Sequence, residues 1–533
     1  MADGHHPHLR RPGRRVNRGV RPGRDRRARR IDGRGGRARV EGDAPRVAVV
    51  GGGIAGLAAA TVLAERGVRV SVYERDQQLG GRLAGWRTQL ADGSQVTMSR
   101  GFHAFFRQYY NLRALLRRTD PGLNGLTGLA DYPLRHRDGG QDSFARVPRT
   151  PPLSALGFVA QSPSFGWRDL GRMNPRAALP LLDVGVPGVY EALDQVSASE
   201  FLASIRFPEA ALHLAFDVFS RSFFADPATL SAAELALMFH IYFLGSSEGL
   251  LFDVPREPFP QALWDPLARH LDGLGVRIRT GTAVHGVRPV GEEQVDVVTE
   301  AGAERCDAVV LALDTGGLKA VVGASPELLN PVWRERIAGL RTAPAFLVSR
   351  LWLSAPVAGT RPGFLGTSGF GGLDNVTVLD RFEGEAHRWA LKTGGSVVEL
   401  HAYAVDPAER RQQVQEGLLG QLREAYPETS AAGIVDARHE WREDCPLFTV
   451  GGYQDRPAVR TGDPRVVLAG DLVRTDLPVA LMERAATSGF LAANALLERW
   501  GVRGETLWTV PDRGRSAPAR ALAGWGRRAA AAS

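Results

Sequence analysis

The chain has 533 residues, of which 44% are hydrophobic and 23% charged, and this composition indicates a globular protein larger than one ordinary domain. The two cysteines, Cys306 and Cys445, are isolated in the sequence, which excludes a disulfide framework and an iron–sulfur cluster and favours a reducing cytoplasm. The formal net charge is +8, but residues 1–45 hold 14 arginines against five acidic residues, so the remaining chain has a net charge of −1.

Residues 1–45 are rich in Arg, Gly, Pro and His and contain no apolar run, which predicts a disordered tail. A basic tail suits contact with nucleic acid or an anionic membrane. Its arginine pairs, at 10–11 and 14–15, also suit a twin-arginine export signal, but no apolar segment follows them. We favour a third interpretation, a start codon assigned too far upstream, because a clean domain pattern begins near Pro45. We therefore expect no nucleic-acid partner.

A glycine-rich turn follows the first apolar strand. Residues 47–50 predict a strand buried on both faces, and Gly51, Gly53 and Gly56 follow it in the spacing G-x-G-x-x-G. The first glycine permits the tight turn, the second lets the backbone approach a pyrophosphate, and the third lets the next helix pack close to the strand. That helix, predicted over 57–66, directs its N-terminal N–H groups at the phosphates. The pattern predicts a dinucleotide site.

A second strand, predicted over 68–73, ends at Glu74, eighteen residues after Gly56. At this spacing a carboxylate binds the ribose hydroxyls of the nucleotide. An acidic residue at this position also argues against a 2′-phosphate, and hence against NADP. The strand–turn–helix–strand–acid context is the one that the glycine motif requires, and it favours a flavin dinucleotide.

The nucleotide-binding pattern resumes twice later in the chain, with strand signals over 276–313 and 465–471 and a helical pattern over 482–500. A nucleotide domain built from separated segments predicts a two-domain α/β protein. Its predicted parts are the disordered tail 1–45, FAD-binding segments 46–104, 263–329 and 461–505, substrate-domain segments 105–262 and 330–460, and a flexible C-terminal tail 506–533.

Residues 200–262 differ from the rest of the chain in their pattern, because apolar residues recur there at helical spacing with few charges. This pattern predicts helices and leaves two interpretations open. The helices are an ordinary buried pair, or they form an apolar tunnel for a lipid-like substrate that opens onto a membrane surface. No apolar run of about 18 residues is present, so we expect no membrane-spanning helix.

Gly80-Gly81-Arg82 and the late segment 467–471 complete a set of motifs by which the chain resembles the amine oxidase/carotene desaturase flavoproteins. The resemblance is strong over 47–103 and 465–495 and weaker over 255–313. It implies a Rossmann-like FAD-binding domain and a mixed α+β substrate domain. In that family the Gly-Gly-Arg turn lies against the pyrophosphate and flavin, and the late acid faces the ribityl–phosphate region. The FAD-binding residues implied are Gly51, Gly53, Ile54, Ala55, Gly56, Glu74, Arg75, Gly80, Gly81, Arg82, Val284, Gly470, Asp471, Met482 and Ala485.

Residues 100–113 carry a narrower resemblance, to the carotenoid-aromatising desaturase/methyltransferases, also called isorenieratene synthases. This resemblance implies that the β-ionone rings of β-carotene become trimethylphenyl rings. Four hydrogens leave each ring and one methyl moves from C1 to C2. Oxidised flavin accepts hydrides, and a 1,2-methyl shift follows readily in the resulting cation, so no separate methyl donor is needed. No second glycine-rich loop for such a donor is found in the sequence.

The same segment supplies the candidate catalytic groups. His103 is the candidate base for deprotonation; Glu483 and Asp471 are alternatives, although both are more typical of flavin binding. Aromatic faces stabilise cations by roughly 0.5–2 kcal/mol each, and the candidates are Phe102, Phe105, Phe106, Tyr109 and Tyr110. A block of Phe and His behind a flavin turn is equally typical of ordinary packing.

Several other functions fit parts of the sequence. A linear carotene desaturase or a carotene cis–trans isomerase would use the same fold without a methyl shift. A soluble amine oxidase, a flavin-dependent pigment carrier without turnover and a nucleic-acid-binding protein fit less of the chain. We expect FAD, an apolar carotenoid substrate, an electron acceptor that the sequence does not identify, and no metal. We also expect a cytoplasmic protein with a peripheral contact to the inner face of the cell membrane.

Overall fold

The computed structural model describes residues 25–129, 131–212 and 223–514. The strands, in chain order, are β1 (Arg29–Ile31), β2 (Arg46–Val50), β3 (Arg69–Tyr73), β4 (Gly85–Gln89), β5 (Gln95–Ser99), β6 (Phe105–Phe106), β7 (Leu126–Gly128), β8 (Leu134–His136), β9 (Gln141–Asp142), β10 (Phe252–Pro255), β11 (Arg277–Arg279), β12 (Val284–Val290), β13 (Gln294–Thr299), β14 (Gly302–Cys306), β15 (Ala308–Leu311), β16 (Phe346–Leu353), β17 (Phe364–Ser368), β18 (Asn375–Val378), β19 (Ser396–Ala402), β20 (Ile434–Arg442), β21 (Val466–Leu468) and β22 (Leu507–Thr509).

The α-helices are α1 (Ile54–Glu65), α2 (Tyr110–Leu116), α3 (Leu153–Gln161), α4 (Trp167–Arg172), α5 (Gly188–Leu193), α6 (Ala198–Ser204), α7 (Ala232–Phe239), α8 (Asp265–Gly273), α9 (Thr315–Gly323), α10 (Pro331–Gly339), α11 (Gly384–Thr393), α12 (Arg411–Ala425) and α13 (Leu481–Arg499). A π-helical turn, His240–Leu244, continues α7. Among these helices of the described ranges, none combines the length and the hydropathy of a membrane span.

The nucleotide domain is built on a parallel sheet with the strand order β11-β3-β2-β15-β21. Residues 47–50 in its central strand are at most 3% exposed, as expected for a strand covered on both faces. Helix α1 is apolar all round because it lies between this sheet and α13. The two helices touch backbone to backbone, since a Cβ added at Gly489 would lie 2.3 Å from the carbonyl oxygen of Ala55.

The substrate domain is built on a second sheet, with the order β20-β16-β19-β18-β17-β8-β9. Every residue of β16 is buried, so this sheet is also covered on both faces. One face packs its leucines, including Leu347 and Leu400, on Leu418 and Leu422 of α12. The opposite face is turned towards the nucleotide domain. These two sheets confirm the predicted two-domain α/β fold class.

The apolar stretch 200–262 forms α6, α7 and the π-helical turn, as its pattern predicts, and side chains of these helices pack in a core with α5. The later part of the stretch contains the strand β10, which the helical pattern does not predict. Six residues of the stretch also line the main cavity: Phe224, Met238, Tyr242, Phe243, Leu250 and Phe252. Different faces of the same helices therefore serve the core and the cavity. Residues 213–222 of this stretch lie outside the described residues.

Two chain ends that were predicted to be disordered tails differ in the structure. Strand β1 pairs antiparallel with β22, so parts of 25–45 and of 506–514 form a two-stranded sheet. The Asp25 backbone N–H donates to the Glu248 carboxylate (3.0 Å), which fixes the start of the described chain. Local composition does not reveal these elements because each strand finds its partner at the opposite end of the chain. The predictions for 1–24 and 515–533 fall outside the described residues.

Candidate active site

One cavity of about 630 Å³ runs between the two domains. Its first end is formed by the glycine-rich turn after β2, the Gly-Gly-Arg turn and the start of α13. Its second end is formed by the segment after β5, by α7 and by the inner face of the substrate sheet. Both ends belong to a single continuous space, so a group bound at the first end and a substrate at the second would meet within it.

The glycine-rich turn has the geometry that a pyrophosphate site requires. Gly51 has φ +109°, and a Cβ there would lie 2.2 Å from the carbonyl oxygen of Ala312. A Cβ at Gly56 would lie 1.9 Å from the carbonyl oxygen of Gly51, so this glycine allows the close helix–strand packing and does not itself line the cavity. At Gly53 the nearest atom to an added Cβ would be the Gly81 Cα, 3.8 Å away. The space above Gly53 is therefore open to a ligand.

Helix α1 starts directly at this turn, with Gly53 as its N-cap residue. Among the described residues no side chain caps its first turn, and no acidic residue lies in that turn. Uncapped N–H groups and the positive end of the helix dipole favour an anionic group. Ile54 and Ala55 of the first turn line the cavity.

Glu74 lies at the end of β3, where the cavity begins. Its carboxylate accepts hydrogen bonds from the N–H groups of Gly52 (2.8 Å) and Asp76 (2.9 Å). Burial raises the pKa of Glu74. The neighbouring Arg75 is held by Asp314 at 3.4 Å and also lines the cavity. The carboxylate is thus fixed beside the turn, at the place predicted for ribose recognition.

The Gly-Gly-Arg turn closes over the glycine-rich turn. The Gly80 N–H donates to the carbonyl of Gly52 (2.8 Å), and both Gly80 and Gly81 have positive φ. Arg82 donates to Asp471 with a distance of 2.6 Å between Nη2 and Oδ1. This ion pair joins the first and last segments of the nucleotide domain at the edge of the cavity.

The remaining predicted cofactor residues also lie at the first end of the cavity. Gly470 follows β21, and its N–H donates to the Ser488 hydroxyl of α13 (2.9 Å). The other lining residues are Val284, Met482 and Ala485. The open turn, the uncapped helix and the fixed carboxylate fit the ADP half of FAD, and the space beyond Arg82 leads to the flavin position that the resemblance implies.

The second end of the cavity is aromatic. Ring centroids lie 4.6 Å apart in the pair Phe102–Phe364 and 4.7 Å apart in the pair Phe106–Tyr242. Tyr109 also lines this end, whereas Phe105 and Tyr110 are buried away from it. The aromatic rings form an apolar chamber whose π-faces suit a long polyene and a developing positive charge.

His103 lines the cavity between its two ends. Its Nδ1–H donates to the Gly101 carbonyl (3.0 Å), which leaves Nε2 as an acceptor. Burial lowers the pKa of His103 to about 4, so the ring is neutral near pH 7 and is a weak base. Of the two alternative bases, Asp471 lines the cavity but is paired with Arg82 (2.6 Å), and the Glu483 carboxylate accepts the N–H groups of Asn111 (2.8 Å) and Leu112 (2.9 Å). Glu483 caps α2 and contacts neither end of the main cavity.

Sequence reasoning missed a polar group on the inner face of the substrate sheet. Glu399, His401 and Tyr403 alternate along β19 and its end, and Arg350 of β16 and Asn375 of β18 lie beside them. Three polar residues at alternate positions in an otherwise apolar strand place their side chains on one face. The run Val-Val-Glu-Leu-His-Ala-Tyr carried this signal. Sequence reasoning missed this pattern because no known glycine-rich or acidic motif accompanies it.

Comparison with known proteins gives three findings. The profile of the flavin-containing amine oxidoreductases matches residues 54–497. Over 506 residues the chain is 70% identical to a carotenoid phi-ring synthase of Streptomyces griseus, covering 95% of this chain and 98% of that protein. It is 28% identical to a carotenoid phi-ring synthase of Chlorobaculum tepidum, covering 87% and 90%. The structure of wild-type putrescine oxidase has a TM-score of 0.64 at 15% identity, over 86% of this chain and 100% of that one.

These findings confirm the resemblance to the amine oxidase/carotene desaturase flavoproteins and the FAD cofactor that it implies. The likeness to putrescine oxidase shows the fold alone. The described residues contain no cluster of His, Cys, Asp or Glu that could hold a metal ion. The chain belongs to the flavin-containing amine oxidoreductase family, within it to the group of the carotenoid phi-ring synthases, and is an FAD-dependent oxidoreductase.

Proposed function

We propose that the protein aromatises the β-ionone rings of β-carotene and produces end groups in which one methyl has moved from C1 to C2. One observation carries this proposal: a single cavity joins an FAD-binding turn to a chamber lined by aromatic rings. The names of the two phi-ring synthases to which the chain is similar support the same ring chemistry. The first end supplies oxidation, and the second end accommodates an apolar ring.

The reaction divides into two dehydrogenations of the ring. When bound, FAD would supply an oxidised flavin that accepts one hydride at each dehydrogenation and is reoxidised by the electron acceptor between the two. The first dehydrogenation removes a hydride and a proton from C3 and C4 and introduces a double bond between them. In the second, hydride loss from C2 leaves a cation that is allylic to this bond. A methyl then moves with its electron pair from C1 to C2, and loss of the remaining C2 proton completes the aromatic ring.

The chain has to keep water from this cation and to stabilise its charge. The aromatic rings of the chamber do both, because they exclude water and present their π-faces. Among the aromatic rings of the chamber, Phe102 and Phe106 lie closest in sequence to the Gly-Gly-Arg turn. Both rings are edge-on or tilted to neighbouring rings. We expect these rings to contact the reacting ring, and the rest of the polyene to extend towards Phe252 and Tyr132.

The test is expression of the full chain in a bacterium that accumulates β-carotene, followed by chromatography, mass spectrometry and NMR of the pigments. We expect a product lighter by four hydrogens for each altered ring, with every carbon retained and with methyls at C1, C2 and C5. Unchanged β-carotene, in cells that contain the FAD-loaded protein, would contradict the proposal. A linear carotene desaturase or isomerase would then be the alternative, and acyclic carotenes would be the substrates to test.

We further propose a peripheral membrane contact at α3. Phe158 on its inner side stacks on Phe144 (5.0 Å between centroids), and Phe144 lines the cavity. Leu153 and Leu156 on its outer side are 56% and 62% exposed. An apolar face next to one end of the cavity suits the transfer of a carotenoid from a bilayer.

The membrane contact is testable with vesicles of phosphatidylglycerol and phosphatidylcholine. Replacing Leu153 and Leu156 by Ser should reduce co-sedimentation several-fold, because the apolar area that enters the bilayer is lost. The matched control is Val332→Ser on α10, which removes a side chain that is 59% exposed. Equal binding by the α3 variant and the control would contradict this contact.

A further inference from the structure

The polar group on the inner face of the substrate sheet consists of Arg350, Asn375, Glu399, His401 and Tyr403, and we call it the β19 cluster. In the sheet register Glu399 lies opposite Arg350, and His401 lies opposite Asn375. Arg350, Asn375, Glu399 and His401 are each at most 5% exposed. Tyr403, at the end of the strand, is only partly buried, and it lines the cavity together with Asn375 and His401. The cluster thus leads from the cavity into the sheet.

The hydrogen bonds of the β19 cluster indicate which groups donate and which accept. The Asn375 Nδ2–H donates to the Tyr403 hydroxyl oxygen (3.1 Å). Because His401 Nε2 faces the Glu399 carboxylate, we assign the proton of the neutral ring to Nε2, and His401 Nδ1 then accepts the hydroxyl hydrogen of Tyr403, 2.8 Å away. An imidazole that accepts at Nδ1 carries its proton on Nε2 when it is neutral. That Nε2 lies 3.8 Å from Glu399 Oε2.

Behind His401 the cluster holds a fixed negative charge. Arg350 donates to Glu399 Oε1 from Nε (2.8 Å), and its other groups donate to the Thr97 carbonyl (2.7 Å) and the Ser99 hydroxyl (2.8 Å). Burial opposes ionisation of Glu399, but Arg350 and His401 outweigh it and lower the pKa of Glu399 to about 2. A carboxylate that stays ionised beside an imidazole stabilises the imidazolium.

Within the described part of the chain, His401 Nε2 and Glu399 Oε2 have no hydrogen-bond partner. Both atoms are buried, and a buried polar atom without a partner costs free energy. Protonation of His401 would turn the 3.8 Å separation into an attraction between opposite charges. The arrangement therefore favours a proton that arrives at His401 from the Tyr403 side.

Tyr403 is the most exposed of the three cluster members that line the cavity. Its ring lies against Phe224, with 5.0 Å between centroids, and Phe224 and Phe346 line the same part of the cavity. Burial raises the pKa of Tyr403, so the phenolate is disfavoured. A proton taken up by its oxygen must therefore be matched by release of its own proton to His401. His103, the base expected from sequence, has a pKa that burial lowers more than Glu399 raises it, and its Nδ1–H is held by the Gly101 carbonyl.

We propose that Tyr403 and His401 form the proton relay that completes ring aromatisation, with Glu399 and Arg350 as positioning residues. The inference rests on the proposed function and identifies where its last proton goes. After the methyl shift, the C2–H bond breaks and its electron pair forms the C1–C2 double bond. The proton passes to the Tyr403 oxygen while the Tyr403 proton passes to His401 Nδ1. The two electrons of the oxidation have already left with the hydride, so this step needs no further oxidant.

The test compares the full-length, FAD-loaded wild type with Tyr403→Phe and His401→Gln. Both variants keep most of the side-chain volume but cannot relay a proton. We expect kcat for conversion of β-carotene to fall by about 10²-fold or more, the effect of losing a general base, while KM stays within about twofold. The matched control is Tyr426→Phe, which removes a buried hydroxyl of the same domain for which the described residues offer no hydrogen-bond partner.

A second readout does not depend on turnover. In spectra of protein labelled with ¹⁵N-histidine, Tyr403→Phe should move the Nδ1 resonance of His401, assigned from His401→Gln, because the hydrogen bond is lost. Substrate-free protein suffices for this measurement. An unmoved resonance, or Tyr403→Phe with the kcat of the wild type, would overturn the relay alone. Absence of aromatic product from the wild type would overturn the proposed function, and the relay with it.

Discussion

The two ends of the cavity are built by different means. The nucleotide end is made of backbone: a turn, a helix N-terminus and glycines whose missing side chains leave room for a ligand. The substrate end is made of side chains, with aromatic rings around a buried row of polar residues on a sheet. Backbone sites tolerate few residue types, so they leave motifs in a sequence. Side-chain sites depend on which strands become neighbours, and that information is spread over the chain.

The largest effect is expected at the backbone end, from Gly53→Val. The chain itself has room there, since the nearest atom to a Cβ would be 3.8 Å away, but the branched side chain would occupy the ligand space. We therefore expect a folded protein without flavin and without activity, measured by absorbance near 450 nm and by circular dichroism. Gly35→Val, at an exposed glycine with open space around it, is the control. A yellow Gly53→Val protein would refute the site.

At the side-chain end the largest effect is expected from Glu399→Gln. This change leaves the buried Arg350 guanidinium without its ionic partner, and breaking a buried pair costs about 3–5 kcal/mol. Chemical unfolding of the flavin-loaded protein should show this loss. Glu424→Gln breaks a more exposed pair with Arg137 (2.6 Å) and should cost less than about 1 kcal/mol. Equal losses in the two variants would show that burial does not govern the Glu399 pair.

Glu399 also predicts a pH dependence of stability. Its pKa is about 2 in the folded protein, below the ordinary value of 4.5 for a glutamate. A group with a depressed folded pKa contributes stability that is present above its unfolded pKa and lost as the pH falls through its folded pKa. Unfolding free energies of the wild type should therefore fall more steeply between pH 4.5 and pH 2 than those of Glu399→Gln. Parallel curves would contradict the assignment.

A smaller effect is expected from Arg82→Met, which separates the first and last segments of the nucleotide domain at the flavin end. Losing the ion pair with Asp471 should weaken flavin binding by about 10- to 100-fold, since hydrogen bonds to charged groups contribute about 1.5–3 kcal/mol and about 1.4 kcal/mol is a factor of ten. Titration of the flavin-free protein with FAD measures this change. Arg87→Met, which removes an exposed partner of Glu385, should leave the affinity unchanged. Equal affinity for FAD in the two variants would show that Arg82 does not contribute to flavin binding.

The smallest effect is expected from removal of residues 1–44. The deletion takes away β1 and the Asp25 contact to Glu248, so β22 loses its only strand partner in the described structure. We expect the thermal midpoint to fall by a few degrees while flavin content and the product are unchanged. A thermal midpoint equal to that of the full chain would show that residues 1–44 do not contribute to stability.

Of the residues predicted for the nucleotide site, all but Gly56 line the cavity. Gly51 was recognisable because only glycine meets the geometry there, Gly53 because the space above it is kept for a ligand, and Glu74 because its spacing follows from the length of one strand–helix–strand unit. The terminal sheet and the β19 cluster were not predictable in this way. Each depends on pairing between distant segments, such as β1 with β22 or β19 with β16 and β18. Local patterns in a single sequence do not reveal which strands pair.

His103 illustrates the limit of local reasoning about chemistry. Its position beside the flavin turn made it the natural base in the sequence, and it does line the cavity. Burial lowers its pKa more than the nearby Glu399 raises it, which makes it a weak base, whereas His401 of β19 lies 3.8 Å from that carboxylate and 2.8 Å from the Tyr403 hydroxyl. Proton chemistry depends on the charges around a group as much as on the group itself.

The central claim is that ring aromatisation proceeds with a methyl shift inside the same ring. The most direct test supplies β-carotene labelled with ¹³C in both methyls on C1 and locates the label in the product by NMR. We predict equal label in the methyl on C1 and in the methyl on C2, with the total retained. Label on the C1 methyl alone, beside an unlabelled or missing C2 methyl, would contradict the account.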